Sequence, residues 1–279
     1  MTLHLALPKG RMQAGVCQLL ADAGIRTSVD PRRYRPSLSL ADVDTKLLKP
    51  RDVVTLLDQG SRDIGFAGAD WVAELDADVV PLLDTGLDPV RLVLAAPPGT
   101  DLDRPALRLA TEYVGITRRW AQSVGLDARI VPTTGATEVY PPEDADGIVD
   151  NTATGSTLRA NGLQIRQELM LSATGLYASR RAMSGDNRGR IEELVMLLQA
   201  ALAARQRVLL EVNVDPDRLE AVVAAMPCMR RPTVCSLWGE AGLAVKAAVP
   251  RDALPTLLPE LKRRGATDLV VSELAQVMP

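Results

Sequence analysis

The stretch Gly147-Ile148-Val149-Asp150-Asn151-Thr152-Ala153-Thr154-Gly155-Ser156-Thr157-Leu158 carries the strongest local logic in the chain. Its apolar start predicts a buried strand that ends at an aspartate. Small hydroxyl residues and a glycine follow, and Leu158-Arg159-Ala160 can open a helix. Strand, tight loop and helix in that order form the repeating unit of an α/β fold. The loop also has a chemical reading. Backbone N–H groups and hydroxyls at the positive end of a helix suit a phosphate. Gly155 accepts φ > 0, so the backbone can curl around an anion. Asp150 can accept hydrogen bonds from sugar hydroxyls, and together these parts suit a ribose 5-phosphate. A plain helix N-cap is the alternative, but one Ser or Thr would serve for that.

Outward from this unit the alternation continues. Residues 3–7 read as an apolar strand stopped by Pro8, and Pro8-Lys9-Gly10-Arg11 as a turn with two positive charges. Val16, Leu19, Leu20 and Ala23 then recur at helical spacing, with Gly24 as C-cap. Pro50 suits the start of a second helix whose inner side is Val53, Val54, Leu56 and Leu57. Residues 63–68 predict a strand and tight turn, and 69–75 a short helix. This rhythm predicts a largely parallel sheet covered by helices. A second unit begins near Asp88, with strands at 90–95 and 107–110, a helix at 114–124 and a short extended piece at 129–132. Gly135-Ala136-Thr137-Glu138 reads as a loop entering a helix. Residues 164–177 look extended, as a return crossing, and 187–206 form a long helix. The last 75 or so residues read as strand 207–213, helix 216–226, strands 232–237 and 243–248 around Gly239-Glu240-Ala241-Gly242, helix 253–264 and strand 268–271. That βαββαβ order is ferredoxin-like.

Composition narrows the function classes. The chain has 279 residues, 47% hydrophobic and 24% charged, as expected of a soluble globular protein. A net charge of −3 argues against a nucleic-acid surface. No apolar run reaches membrane-spanning length. The start Met1-Thr2-Leu3-His4 lacks a basic region before an apolar one, so a cytoplasmic location is expected. Cys17, Cys228 and Cys235 fit no zinc spacing and are expected to be buried, reduced thiols. The one histidine, His4, is expected to pack in its strand.

With these pieces placed, the chain resembles the ATP phosphoribosyltransferases of histidine biosynthesis, in the long form with a regulatory domain. The similarity runs nearly end to end. It is carried by Leu7-Pro8-Lys9-Gly10-Arg11, by residues 49–70 from Lys49-Pro50-Arg51-Asp52 to Gly68-Ala69-Asp70, and by Arg108-Leu109-Ala110-Thr111-Glu112-Tyr113. Gly135-Ala136-Thr137-Glu138, residues 150–163, Arg231-Pro232-Thr233-Val234 and Leu261-Lys262-Arg263-Arg264-Gly265-Ala266-Thr267 also match. Two departures lie beside the key loop. Asn151 stands where the family usually has an apolar residue, and Pro141-Pro142-Glu143-Asp144 replaces a glycine in an apolar context.

The resemblance implies a two-lobed, periplasmic-binding-protein-like catalytic core. Lobe one would hold residues 1–87 and 177–206, lobe two 88–176, and a ferredoxin-like regulatory domain 207–279. It implies ATP and phosphoribosyl pyrophosphate as substrates, Mg2+ carried mainly on the pyrophosphate, and no metal ligand among the side chains. Histidine would be a feedback effector held near residues 232–243, and the assembly a dimer or hexamer. Lys9, Arg11 and Asp150 would be catalytic. Asp150, Asn151, Thr152, Ala153, Thr154, Gly155, Ser156 and Thr157 would bind phosphoribosyl pyrophosphate. Lys9, Arg11, Lys49, Asp70, Arg91, Tyr113 and Glu138 would bind ATP. A two-lobed small-molecule sensor without catalysis is the competing reading.

Overall fold

The computed structural model describes residues 2–28, 34–239 and 242–278. Two compact units divide the chain: Met1–Gln18 with Arg26–Ile191, and Leu19–Ile25 with Glu192–Pro279.

The first unit is built on an eight-stranded sheet ordered β4-β1-β5-β10-β6-β9-β7-β8. Its strands are β1 Leu3–Pro8, β4 Val43–Leu48, β5 Ile64–Gly68, β6 Val79–Ala96, β7 Leu107–Thr111, β8 Ala128–Pro132, β9 Gly147–Thr152 and β10 Gln164–Ser179. The short pair β2 Thr27–Ser28 and β3 Ser37–Leu38 lies apart from it. The helices are α1 Arg11–Asp22, α2 Pro50–Asp58, α3 Ala69–Leu75, α4 Val114–Ser123, α5 Ser156–Ala160, α6 Arg180–Ser184 and α7 Arg188–Arg205, the last crossing into the second unit.

The expectation of a largely parallel sheet is corrected. Parallel pairing holds among β4, β1 and β5 and among β9, β7 and β8, but β5–β10, β10–β6 and β6–β9 are antiparallel. The sequence hid this because Pro81, Gly86 and Pro89 punctuate β6, leaving only its second half legible as a strand. β9 pairs with β6 only from Arg91 to Ala95, so the earlier part of β6 is a free edge on that side. An edge tolerates proline, whose missing N–H would cost a ladder bond inside a sheet.

Local chemistry explains the helices that matter for the site. α2 starts with Pro50 at a position that needs no N–H, after extended Lys49, and buries Val53, Val54 and Leu57. Those side chains pack with Ala6, Ala67, Val79 and Tyr177. β9 is buried on both faces. Val149 packs with Leu92, Leu94, Leu109, Tyr113 and Ile116 on one, and Ile148 with Val93, Ala95, Ala110, Leu158 and Leu163 on the other.

The second unit carries β11 Arg207–Val214, α8 Leu219–Ala225, β12 Thr233–Ser236, β13 Leu243–Pro250, α9 Leu254–Arg263 and β14 Thr267–Glu273. The four strands form a separate antiparallel sheet ordered β12-β13-β11-β14. Strand β11 alternates strictly. Val208, Leu210, Val212 and Val214 enter a core with Val222, Leu257 and Leu261. Glu240 and Ala241 of the expected turn lie outside the described residues.

The cysteine expectation is also corrected. Cys17 and Cys228 are only partly buried and Cys235 is exposed. Cys235 sits on β12, an edge strand exposed along its length. His4 lies on β1 as expected, with Nδ1 3.3 Å from Asp44.

Candidate active site

The C-terminal ends of both parallel strand groups meet on β10. Gly68, the last residue of β5, pairs with Thr174. Thr152, the last residue of β9, pairs with Arg91, and Arg91 pairs with Leu171. Loops leaving β5 and β9 therefore emerge within a few residues of each other along one strand. Such strand ends are where open α/β sheets hold ligands, because the helix N-termini and turn N–H groups gather there.

The loop after β9 has the backbone that the glycine predicted. Gly155 is left-handed at φ 72° and lies directly before Ser156, the first residue of α5. Gly155 N–H donates to Thr152 Oγ1 at 2.9 Å, and Thr154 Oγ1 donates to Ser156 Oγ at 3.0 Å. Arg159 braces the curl by donating to the Thr154 carbonyl at 3.0 Å. Ala153, Thr154, Ser156 and Thr157 are exposed, while Gly155 and Thr152 are buried. α5 has only five residues, so anion attraction here would come from individual N–H and O–H groups more than from a helix dipole.

Adjacent residues of β9 face opposite ways, as the strand period requires. Asp150 lies in register with Val93, and Asn151 with Leu92. Asp150 is partly buried, and burial pushes its carboxyl up to about 6. The Asn151 N–H, donating to Oδ1 at 2.6 Å, opposes that rise, and the negative charges of Glu138 and Glu112 add to it. Glu138 sits on the single helical turn Thr137–Val139, which places it beside Asp150.

On the other face the polar groups are closed on each other. Asp70 is 5% exposed. Its carboxylate accepts from the Tyr113 hydroxyl at 2.8 Å, the Ser172 hydroxyl at 3.0 Å and the Trp71 N–H at 3.0 Å. Its own N–H donates back to Ser172 Oγ at 3.0 Å. Asn151 Nδ2 donates to the Tyr113 oxygen at 2.6 Å. Burial first, and then the Asp70 charge, push the Tyr113 phenol well above the usual tyrosine range, so it keeps its proton. Gly68 makes the turn possible, because a Cβ there would collide with Asp70 Oδ1.

Three of the four cationic candidates lie just past the ends of the adjacent parallel strands β1 and β4. Lys9 follows β1 and donates its N–H to the Leu48 carbonyl at 2.8 Å; its ammonium lies 5.3 Å from the Tyr34 ring centre. Arg11 opens α1, and Lys49 precedes α2. Both are exposed. Arg91 is in register with Thr152, and its guanidinium lies 3.7 Å from Glu168.

The structure thus separates residues that sequence reasoning grouped. Asn151 was read as part of the phosphate loop, yet its side chain bonds to Tyr113. Tyr113, expected on the ATP side, is 1% exposed and its hydroxyl is engaged on both sides. Ser172 was missed. The available signal was a hydroxyl in an apolar strand, which when buried must find a partner.

Comparison with known proteins identifies the family. A family described as ATP phosphoribosyltransferase matches residues 49–200, and one described as its C-terminal domain matches residues 204–276. The chain belongs to the ATP phosphoribosyltransferase family. Relatives of that name from Pelotomaculum thermopropionicum and Desulforudis audaxviator are 35% and 37% identical, each over the whole of both chains. A solved ATP phosphoribosyl transferase (HisG:HisZ) complex from Thermotoga maritima contains a chain that is 30% identical. Its TM-score is 0.66, over 72% of this chain and 99% of that one.

Proposed function

We propose that the chain catalyses the first step of histidine biosynthesis, joining ATP to phosphoribosyl pyrophosphate. Adenine N1 attacks the anomeric carbon of the ribose. The N1–C1′ bond forms, the C1′–oxygen bond breaks, and pyrophosphate leaves with the electron pair. N1 carries a free lone pair, so the step needs no strong base. The protein's task is positioning and charge stabilisation.

The observation that carries this reading is the left-handed Gly155 turn between Asp150 and α5, in a chain related over its full length to transferases of this name. In our reading Ala153, Thr154, Ser156 and Thr157 hold the 5-phosphate, and Asp150 accepts from ribose hydroxyls. Glu138 holds a further hydroxyl. Lys9, Arg11, Lys49 and Arg91 neutralise pyrophosphate and triphosphate oxygens. Asp70, sited at the end of β5, borders the ATP side, with Tyr113 beneath it.

No cluster of three or more His, Cys, Asp or Glu suited to a metal occurs among the described residues. The Asp70 oxygens are already taken by internal donors. In our reading Mg2+ arrives on the pyrophosphate, where it would offset the charge of the leaving group.

The finer architecture is proposed in the same sense. The two parallel strand groups with long crossing strands suit a periplasmic-binding-like core, and the βαββαβ unit a ferredoxin-like domain. That domain would bind histidine as feedback inhibitor in a cytoplasmic dimer or hexamer, the effector favouring one quaternary state.

The decisive experiment mixes the purified protein with ATP, phosphoribosyl pyrophosphate, Mg2+ and pyrophosphatase, and follows product absorbance. Steady product formation is expected. A flat trace combined with tight calorimetric binding of phosphoribosyl pyrophosphate would favour the sensor reading instead.

A further inference from the structure

We infer that Asn151 is a positioning residue that couples the phosphoribosyl half of the site to the Asp70 half. The inference rests on the transferase reading and deepens it.

The pairing of β9 with β7 is registered only as far as Val149. Thr111 closes that point by donating its hydroxyl to the Val149 carbonyl at 2.6 Å. Past it, residues 150–152 pair with β6 alone. The Asn151 side chain takes over where the ladder to β7 stops, reaching Tyr113 at 2.6 Å.

Donor chemistry gives this chain of contacts a fixed direction. An ionised carboxylate only accepts, so the Tyr113 proton goes to Asp70. The phenol oxygen then has only lone pairs left for Asn151. The amide NH2 must therefore face it, because the amide oxygen would meet another acceptor. The result is Asn151 N–H to Tyr113 O–H to Asp70, with Ser172 O–H closing on Asp70 from β10.

The receiving side is rigid. Glu74 on α3 accepts the N–H groups of Gly115 and Ile116 at the start of α4, both at 2.9 Å. The Trp71 and Tyr113 rings lie 4.9 Å apart, and Arg119 donates to the Ala73 carbonyl. The Asp70 turn and the Tyr113 turn therefore move as one piece, and Asn151 hooks the end of β9 onto it. On one side of Asn151 is Asp150. On the other is Thr152, which holds the Gly155 N–H. A ligand that orders the loop thereby orders the Asp70 turn, and the converse follows by reciprocity.

Calorimetry on the full chain tests this. Phosphoribosyl pyrophosphate with Mg2+ is titrated with and without 1-deaza-ATP, which lacks the attacking nitrogen. The ratio of the two affinities measures the coupling. In Asn151→Leu and in Tyr113→Phe that ratio is expected to fall about tenfold, within the usual range of coupling between sites. The double variant should lose no more of that ratio than either single one. Thermal melts check folding, and Asn151→Ala replaces Asn151→Leu if the larger side chain disrupts the strand. A ratio unchanged by the Asn151 variants, a ratio of one in the wild type, or losses that multiply in the double variant overturn the inference. A wild type that binds no phosphoribosyl pyrophosphate overturns the transferase reading itself.

Discussion

Asp70 lies in the first turn of α3 just past β5, and Asp150 lies two residues before the end of β9, yet the fold treats the two aspartates in opposite ways. Asp70 is almost fully buried, with hydroxyl and N–H donors on both oxygens. Asp150 is partly buried beside other carboxylates, and it holds its proton up to about 6. A saturated carboxylate stabilises its surroundings. A carboxylate kept in an unfavourable place without a cation is one that a ligand can relieve. The difference teaches where to look first for the sugar: beside the acid that burial and neighbouring carboxylates disfavour as a charge.

The largest expected effect breaks the comparison at Asp150. Asp150→Asn should cut turnover by roughly 100-fold or more, the usual loss when a group stabilising transition-state charge is removed. Its stability should move the other way. In the wild type the folded state holds the proton up to about 6 while the unfolded chain releases it near 3.8. The folded state then binds more protons in that window, so ligand-free stability should fall as pH rises from about 4 to about 6 and level off above. Asp150→Asn should erase that slope and leave a more stable protein of much reduced activity. Denaturant melts across pH would show it, and a variant with an unchanged slope would sink the assignment.

Gly155→Val should follow. It puts a branched side chain at φ 72°, with its Cβ 3.1 Å from the Arg159 guanidinium. The left-handed conformation alone costs about 1–2 kcal/mol for an ordinary residue. Displacement of the loop by about 1 Å would lower kcat/KM on the order of 100-fold. Steady-state kinetics and a melt separate the two losses. Normal kinetics would show that the curl does not hold the phosphate.

Tyr113→Phe sharpens the other side. It removes a buried donor to a charged acceptor, for which about 1.5–3 kcal/mol is typical. Loss of melting stability with kcat retained within about tenfold is expected, because a residue under the site acts through position. An unperturbed melt would mean that Asp70 finds another donor.

Much of the site was legible because it is local. The Asp150–Leu158 stretch announces strand, turn and helix through residues that touch their own neighbours, and Gly155 is left-handed as its identity suggested. The alternation of β11 and the proline start of α2 are legible for the same reason. The long crossing strand β6 was not, because its prolines fall where β9 does not pair with it and beside irregularities in its ladder with β10, and such partnership is not written locally. Asn151 misled for a related reason. Proximity along a strand is distance across it, since successive side chains leave by opposite faces.

The sequence by itself determined much of the element order, though not β4 or the β2–β3 pair, together with the glycine turn after β9 and the family to which the chain belongs. Only the tertiary structure decided that the central ladders run antiparallel, that Ser172 bonds to Asp70, and that Asn151 turns toward Tyr113. Those outcomes depend on hydrogen bonds between residues 38 to 102 positions apart, and a partner so distant is chosen by packing rather than by local preference.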